Sequence, residues 1–94
     1  MHIIVVGAGE VVSYVAERFS SQGHHVALIE SDPMRFREIK EGLDVLTIHG
    51  SGSDPETLRA AGIAQADLLV AVTPYDETNI LSALLARGSG VSKT

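Results

Sequence analysis

MHIIVVGAGEVV, residues 1–12, decides the fold. Ile3-Ile4-Val5-Val6 is a run of four β-branched residues. Such a run reads as a strand buried on both faces, as a central parallel strand is. It ends at Gly7-Ala8-Gly9, and a helical pattern starts at about Glu10. A strand that passes through two close glycines into a helix predicts the opening of a dinucleotide-binding βαβ unit. Gly7 allows a tight turn off the strand, and Gly9 leaves room for a pyrophosphate against the backbone. The helix start aims unpaired N–H groups and its positive dipole end at the phosphates. In G-x-G-x-x-G the third glycine serves close helix–strand packing; Val12 stands at that place here. The plain alternative is a glycine-containing turn in some other α/β protein.

The next segments extend the pattern. A helix over Glu10–Ser21 turns Val12, Val15, Ala16 and Phe19 toward a sheet, and Gly23 stops it. A second strand, Val26–Ile29, ends in Glu30-Ser31-Asp32-Pro33. Glu30 follows Gly9 by about 20 residues, where a carboxylate can accept from both hydroxyls of an adenosine ribose. The same charge repels a 2′-phosphate, which favours NAD over NADP. The competing reading is a solvated carboxylate at a strand end. His24 and His25 precede the strand, and no third ligand lies at a metal-binding spacing, so a solvated turn is expected.

Asp32-Pro33 opens a second helix, with Met34, Phe36 and Ile39 as its apolar residues and Gly42 as its end. Arg35 and Arg37 read as an exposed face, with contact to a phosphate or adenine as the alternative. A third strand, Val45–His49, runs into Gly50-Ser51-Gly52-Ser53-Asp54-Pro55-Glu56. Two glycines and two hydroxyls at a strand end make a polar, close-approach loop suited to an adenine rim. Ser53 or Asp54 caps the following helix, and Ser53 with Glu56 fits a capping box. That leaves Ser51 and Gly52 as ligand candidates. His49 reads as a satisfied strand-end histidine.

A third helix over Pro55–Ala61 leads to a fourth apolar strand, Leu68–Val72. Thr73 stands at its C-terminal edge, beside strand 1, at the crevice where open α/β sheets bind ligands. Asp76 or Thr78 caps a last helix carrying Ile80, Leu81, Leu84 and Leu85. The tail from Gly88 to Thr94 is flexible in composition and makes a poor cover for a sheet edge. Right-handed crossovers then give an α/β, Rossmann-type doubly wound parallel sheet of four strands in order 3-2-1-4. Residues 1–94 read as a single nucleotide-binding domain.

Composition narrows the function classes. The chain is 45% hydrophobic and 20% charged, as soluble globular domains are. A net charge of −5 argues against nucleic acid as a partner. No apolar run approaches the ~20 residues of a membrane span. Met1 leads into a core strand without a basic segment or cleavage site, so a cytoplasmic location is expected. Cysteine is absent, which leaves no disulfide and no thiolate metal site.

Four stretches carry a family resemblance: IIVVGAGEVVSYVAERF, ALIESD, HGSGSDPETLRAAGI and ADLLVAVTPYDETNILSALLAR. With them the chain resembles the N-terminal Rossmann domain of potassium-uptake regulators, the RCK or TrkA-N family. The last two stretches are far more specific than a pair of glycines. The resemblance implies a cytoplasmic, non-catalytic regulatory domain that binds NAD(H) or an adenine nucleotide, ATP or ADP. It implies homodimers or larger rings on the inner face of the cell membrane, held by a membrane-embedded potassium transporter or channel subunit. By the same resemblance Gly7, Ala8, Gly9, Glu10 and Val11 form the phosphate loop. Glu30, with Ser31 beside it, is the ribose acid. Gly50, Ser51 and Gly52 are the adenine-side loop, and Thr73 lies near the inner ribose and phosphates.

Three departures stand out. Val12 replaces a usual glycine, which predicts weakened pyrophosphate binding. Ser51 stands where the family often has an acid. The family domain also continues for two more strands, so the chain reads as a truncated part of a six-stranded domain. Two rival functions remain. An NAD-dependent oxidoreductase needs a proton donor or acceptor and a substrate site; Tyr14 and Tyr75 have no lysine four residues on. A structural interaction domain, with nucleotide binding lost through Val12, is the other.

Overall fold

The computed structural model describes residues 1–7, 10–42 and 45–94; the side chains of Glu10 and Val11 lie outside the described set. The elements are β1 His2–Val6, α1 Glu10–Ser21, β2 His25–Glu30, α2 Pro33–Gly42, β3 Leu46–His49, α3 Pro55–Ala60, β4 Leu68–Ala71 and α4 Asp76–Gly88. A short 3₁₀ turn, Ile63–Gln65, joins α3 to β4.

All pairings are parallel, and the sheet order is β3-β2-β1-β4. β1 is central, and its residues alternate between two cores. Ile3 and Val5 pack with Ala16, Val26, Leu28 and Ile39 under α1 and α2. Ile4 and Val6 pack with Ile29, Leu58, Leu69 and Ala86 under α3 and α4. Both faces of the strand are therefore dry, which is why its sequence shows no polar alternation. Helices cover both faces, so the doubly wound order expected from the sequence is the one formed. Among the described residues, no helix is long and apolar enough to cross a membrane.

Several local expectations need correction. α3 is capped by Asp54 alone: its Oδ1 accepts from the Glu56 N–H at 3.1 Å and its Oδ2 from the Thr57 hydroxyl at 3.0 Å. Pro55 takes the first helical position, which makes the residue before it the cap and shifts Ser53 out of the box. Neither Asp76 nor Thr78 caps α4. Tyr75 holds that place without a side-chain bond. In α2, Ile39 is buried but Met34 is 70% exposed.

The tail is the larger correction. Gly90 takes the left-handed conformation, at φ 96°. Its N–H donates to Arg87 O at 3.1 Å, and the Val91 N–H donates to Ala86 O at 3.0 Å. These two bonds make a Schellman stop, whose usual companion is an apolar contact just past the helix. Val91 supplies it and is only 3% exposed. Lys93 then bridges Leu68 in parallel, and Lys93 O accepts the Leu69 N–H at 3.0 Å. Glycine and serine content misleads here because one valine is enough to anchor the turn. The edge of β4, expected to be bare, is covered over its first half.

Candidate functional site

Parallel strands end at one rim of the sheet, so the loops after β1, β2, β3 and β4 meet there. They enclose an open cleft of about 760 Å³. Gly7, Val12, Glu30, Ser31, Gly50, Ser51, Gly52 and Thr73, all expected from the sequence, line it together. Ala8 and Gly9 lie outside the described residues. Glu10 and Val11 open α1, and their side chains are outside the description as well.

Gly7 sits at the foot of the cleft. Its N–H donates to Ile29 O at 2.9 Å, which carries the β1–β2 ladder one step past the strand. Its φ is 112°, and a Cβ there would meet Val72 O at 3.1 Å. A side chain at this turn is thus both strained and crowded. Val12 belongs to two places at once: it packs against the core under α1 and also walls the cleft.

Glu30 is a buried acidic residue of the site, 8% exposed. Its Oε1 accepts the Asp32 N–H at 2.9 Å, and its backbone O accepts the Gly50 N–H at 3.0 Å. The side chain is thereby aimed along the rim instead of outward, because the chain turns immediately at Ser31 and Asp32. A carboxyl group set at this depth needs hydrogen-bonding partners. Asp32 and Arg35 also line this end. They approach to 3.9 Å with half-exposed side chains, a loose pair of small energetic weight.

The loop after β3 is tighter than its composition suggests. Ser51 Oγ lies 2.8 Å from Ser53 Oγ and accepts the Ser53 N–H at 3.1 Å. Gly52 is buried, and its carbonyl accepts from Ser82 Oγ at 2.6 Å. A Cβ on Gly52 would strike the Val6 side chain and come within 2.7 Å of Ser82 Oγ. The glycine is needed first for packing against α4.

Across the cleft, Thr73 is held by Asn79. Asn79 Oδ1 accepts the Thr73 N–H at 2.9 Å and the Thr73 hydroxyl at 2.8 Å, and its Nδ2 donates to Thr73 O at 3.0 Å. The hydroxyl also accepts the Tyr75 N–H at 3.1 Å. Tyr75, 60% exposed, and Thr78 complete this wall.

Sequence reasoning gave Arg35 a contact to phosphate or adenine only as the alternative, passed over Asp32, Tyr75 and Thr78 as lining residues, and gave Asn79 and Ser82 no role. The available signal was polar residues at i, i+1 and i+4 (Thr78, Asn79, Ser82) set among Ile80, Leu81, Leu84 and Leu85. The histidines lie apart from the cleft lining. His25 stacks on His2 with ring centroids 4.9 Å apart, and His24 Nδ1 is 3.2 Å from the N-terminal amine. His49 Nε2 lies 3.1 Å from Ser31 O, and its ring lies against Phe36. Among the described residues no group of three acidic or histidine side chains is placed to hold a metal.

Comparison with known proteins settles the family. The sequence pattern of the TrkA-N domain matches residues 3–94, from β1 through the tail. The chain belongs to the TrkA-N domain family. It is 41% identical over 87 residues to the Trk system potassium uptake protein TrkA of Streptomyces coelicolor. That match covers 93% of the chain but only 39% of the relative, so the chain spans well under half of that protein's length. Among solved structures, the Kef CTD of Shewanella denitrificans in its AMP-bound form superposes with a TM-score of 0.78 at 23% identity, covering 98% of this chain and 54% of that one. The GsuK channel bound to NAD superposes with a TM-score of 0.78 at 18% identity, covering 93% of this chain and 16% of that one. At those identities the likeness is one of fold, and the TrkA-N assignment rests on the sequence matches.

Proposed function

We propose that this TrkA-N domain is a non-catalytic, nucleotide-binding regulatory domain of a potassium transport system, and that its ligand, NAD(H) or ATP/ADP, sits in the cleft. The observation that carries the reading is Glu30: a buried acidic residue, its carboxylate pinned by the Asp32 N–H, at the end of β2 in a cleft that also begins at Gly7. In this reading Glu30 accepts from the ribose hydroxyls, with Ser31 beside it. Gly7, Ala8, Gly9, Glu10 and Val11 take the phosphates, with Val12 at the cleft wall. Gly50, Ser51 and Gly52 border the adenine. Thr73, at the crevice between β1 and β4, faces the inner ribose and phosphates. The domain binds and releases nucleotide without chemistry of its own.

The relative named as a potassium uptake protein, the channel solved with NAD and the domain solved with AMP all support this reading. It places the domain in the cytoplasm beneath a membrane-embedded potassium transporter or channel subunit. It also makes it a homodimer or a ring member through α4, where Ile80, Leu81 and Leu84 are 60%, 47% and 61% exposed. The test is calorimetric titration of the chain with NADH, ATP and ADP. Saturable binding that Glu30→Ala weakens for all three is expected. No binding of any of them would overturn the reading in favour of a structural interaction domain closed to nucleotide by Val12.

A further inference from the structure

Two polar side chains of α4 hold the cleft from behind. Ser82 is fully buried, and its Oγ lies 2.6 Å from Gly52 O and 2.7 Å from Thr78 O. A hydroxyl has one hydrogen to give. Thr78 O, one helical turn back, is the acceptor for the backbone N–H of Ser82. The contact to Gly52 O is the shorter and the more buried of the two, and that carbonyl is costly to leave unpaired. Gly52 has no slack against α4, since even a Cβ would come within 2.7 Å of Ser82 Oγ. Three residues earlier, Asn79 brackets Thr73 with three hydrogen bonds. Residues three apart share a helix face. One face of α4 thus fastens the loop after β3 and the loop after β4, the two walls on either side of the β1 turn.

We infer that Asn79 and Ser82 are positioning residues that tie both walls of the cleft to α4, so that a nucleotide seated in the cleft stiffens α4 along its length. The inference rests on the nucleotide-binding reading above. Coupling of this kind is reciprocal: whatever restrains α4 tightens the cleft by the same factor. The opposite face of α4 carries the exposed Ile80, Leu81 and Leu84, so the restraint reaches an apolar surface open to a partner.

The experiment pairs NADH titration with amide hydrogen exchange on the wild-type chain, Ser82→Ala, Ser82→Cys and Asn79→Ala. In the wild type, NADH should slow exchange at residues 84–88, the end of α4 far from the cleft walls. Ser82→Ala and Asn79→Ala should each bind NADH roughly five- to tenfold more weakly. When saturated they should lose that protection. Ser82→Cys keeps a weak donor of similar size and should recover part of both effects. A purely structural role would lower the melting temperature and leave affinity and ligand-induced protection unchanged, and that result overturns the inference. Wild-type chain that binds NADH without protecting α4 overturns it too, while leaving the nucleotide-binding reading intact. Wild-type chain that binds no NADH, ATP or ADP removes the reading and the inference together.

Discussion

Replacing Glu30 separates ligand binding from stability. Glu30 is 8% exposed as a residue, and its carboxylate is bonded to the chain by Oε1 with the Asp32 N–H. Hydrogen bonds to a charged group are worth about 1.5–3 kcal/mol, which is roughly a 10- to 150-fold change in Kd. Glu30→Ala should therefore weaken NADH and ATP by that factor together, because both carry the same adenosine ribose. The folded chain is less sensitive to the change. It loses one bond of the same kind but no longer has to desolvate the carboxyl group. The two terms oppose each other, so the unfolding midpoint of the unliganded chain should hardly move. Glu30→Gln sharpens the test. It keeps an oxygen for the Asp32 N–H and removes the charge, so it should bind nucleotide with intermediate affinity. Calorimetry gives Kd for each variant, and thermal melting without ligand gives stability. Unchanged affinity in Glu30→Ala would remove Glu30 from the ribose site. Affinity and melting temperature falling in parallel would show a carboxylate that merely holds the loop.

Val12→Gly should tighten nucleotide binding while costing on the order of 0.5–1 kcal/mol of helix stability; level or weaker affinity in a titration would make Val12 ordinary core. Val91→Ala should destabilise the chain by roughly 2 kcal/mol through lost burial and a small cavity. Denaturant unfolding measures that loss, and the Leu69 amide should exchange faster once the tail lets go. Light scattering at micromolar concentration should show a dimer for the wild-type chain and a monomer for Leu84→Glu; a clean monomer in the wild type would refute pairing through α4.

Most of the fold was legible because its decisive signals are local. Ile3–Val6 has no polar position, and that pattern belongs to a strand with two dry faces. Asp54-Pro55 marks a helix start within three residues of the true contacts. The cleft lining was legible wherever a residue sits at the end of a strand, since strand ends and rim coincide in a parallel sheet. What escaped depends on distance in the chain. Ser82 is 30 positions from its carbonyl partner Gly52, and nothing near either residue announces the bond. The tail escaped for a different reason. Its composition is that of a linker, while its placement depends on Val91 and the turn at Gly90. Val12 resisted a single assignment because the helix turns the same side chain toward both core and cleft.

The two ends of α4 are secured by different means. At its start, Asn79 and Ser82 give several hydrogen bonds to loops embedded in the sheet. At its finish, the hold is Ala86 and Val91 in the core, the two bonds of the Schellman turn, and the bond from the Leu69 amide to Lys93 O. Thermal opening begins where the fewest contacts must break. Neither end of α4 is such a place: Ala86 and Val91 are buried in the core at its finish, and Ser82 is fully buried toward its start. Ile80 and Leu84 both lie on the span between these fastenings, so a protein gripping both would meet an apolar ridge already fixed at its two ends.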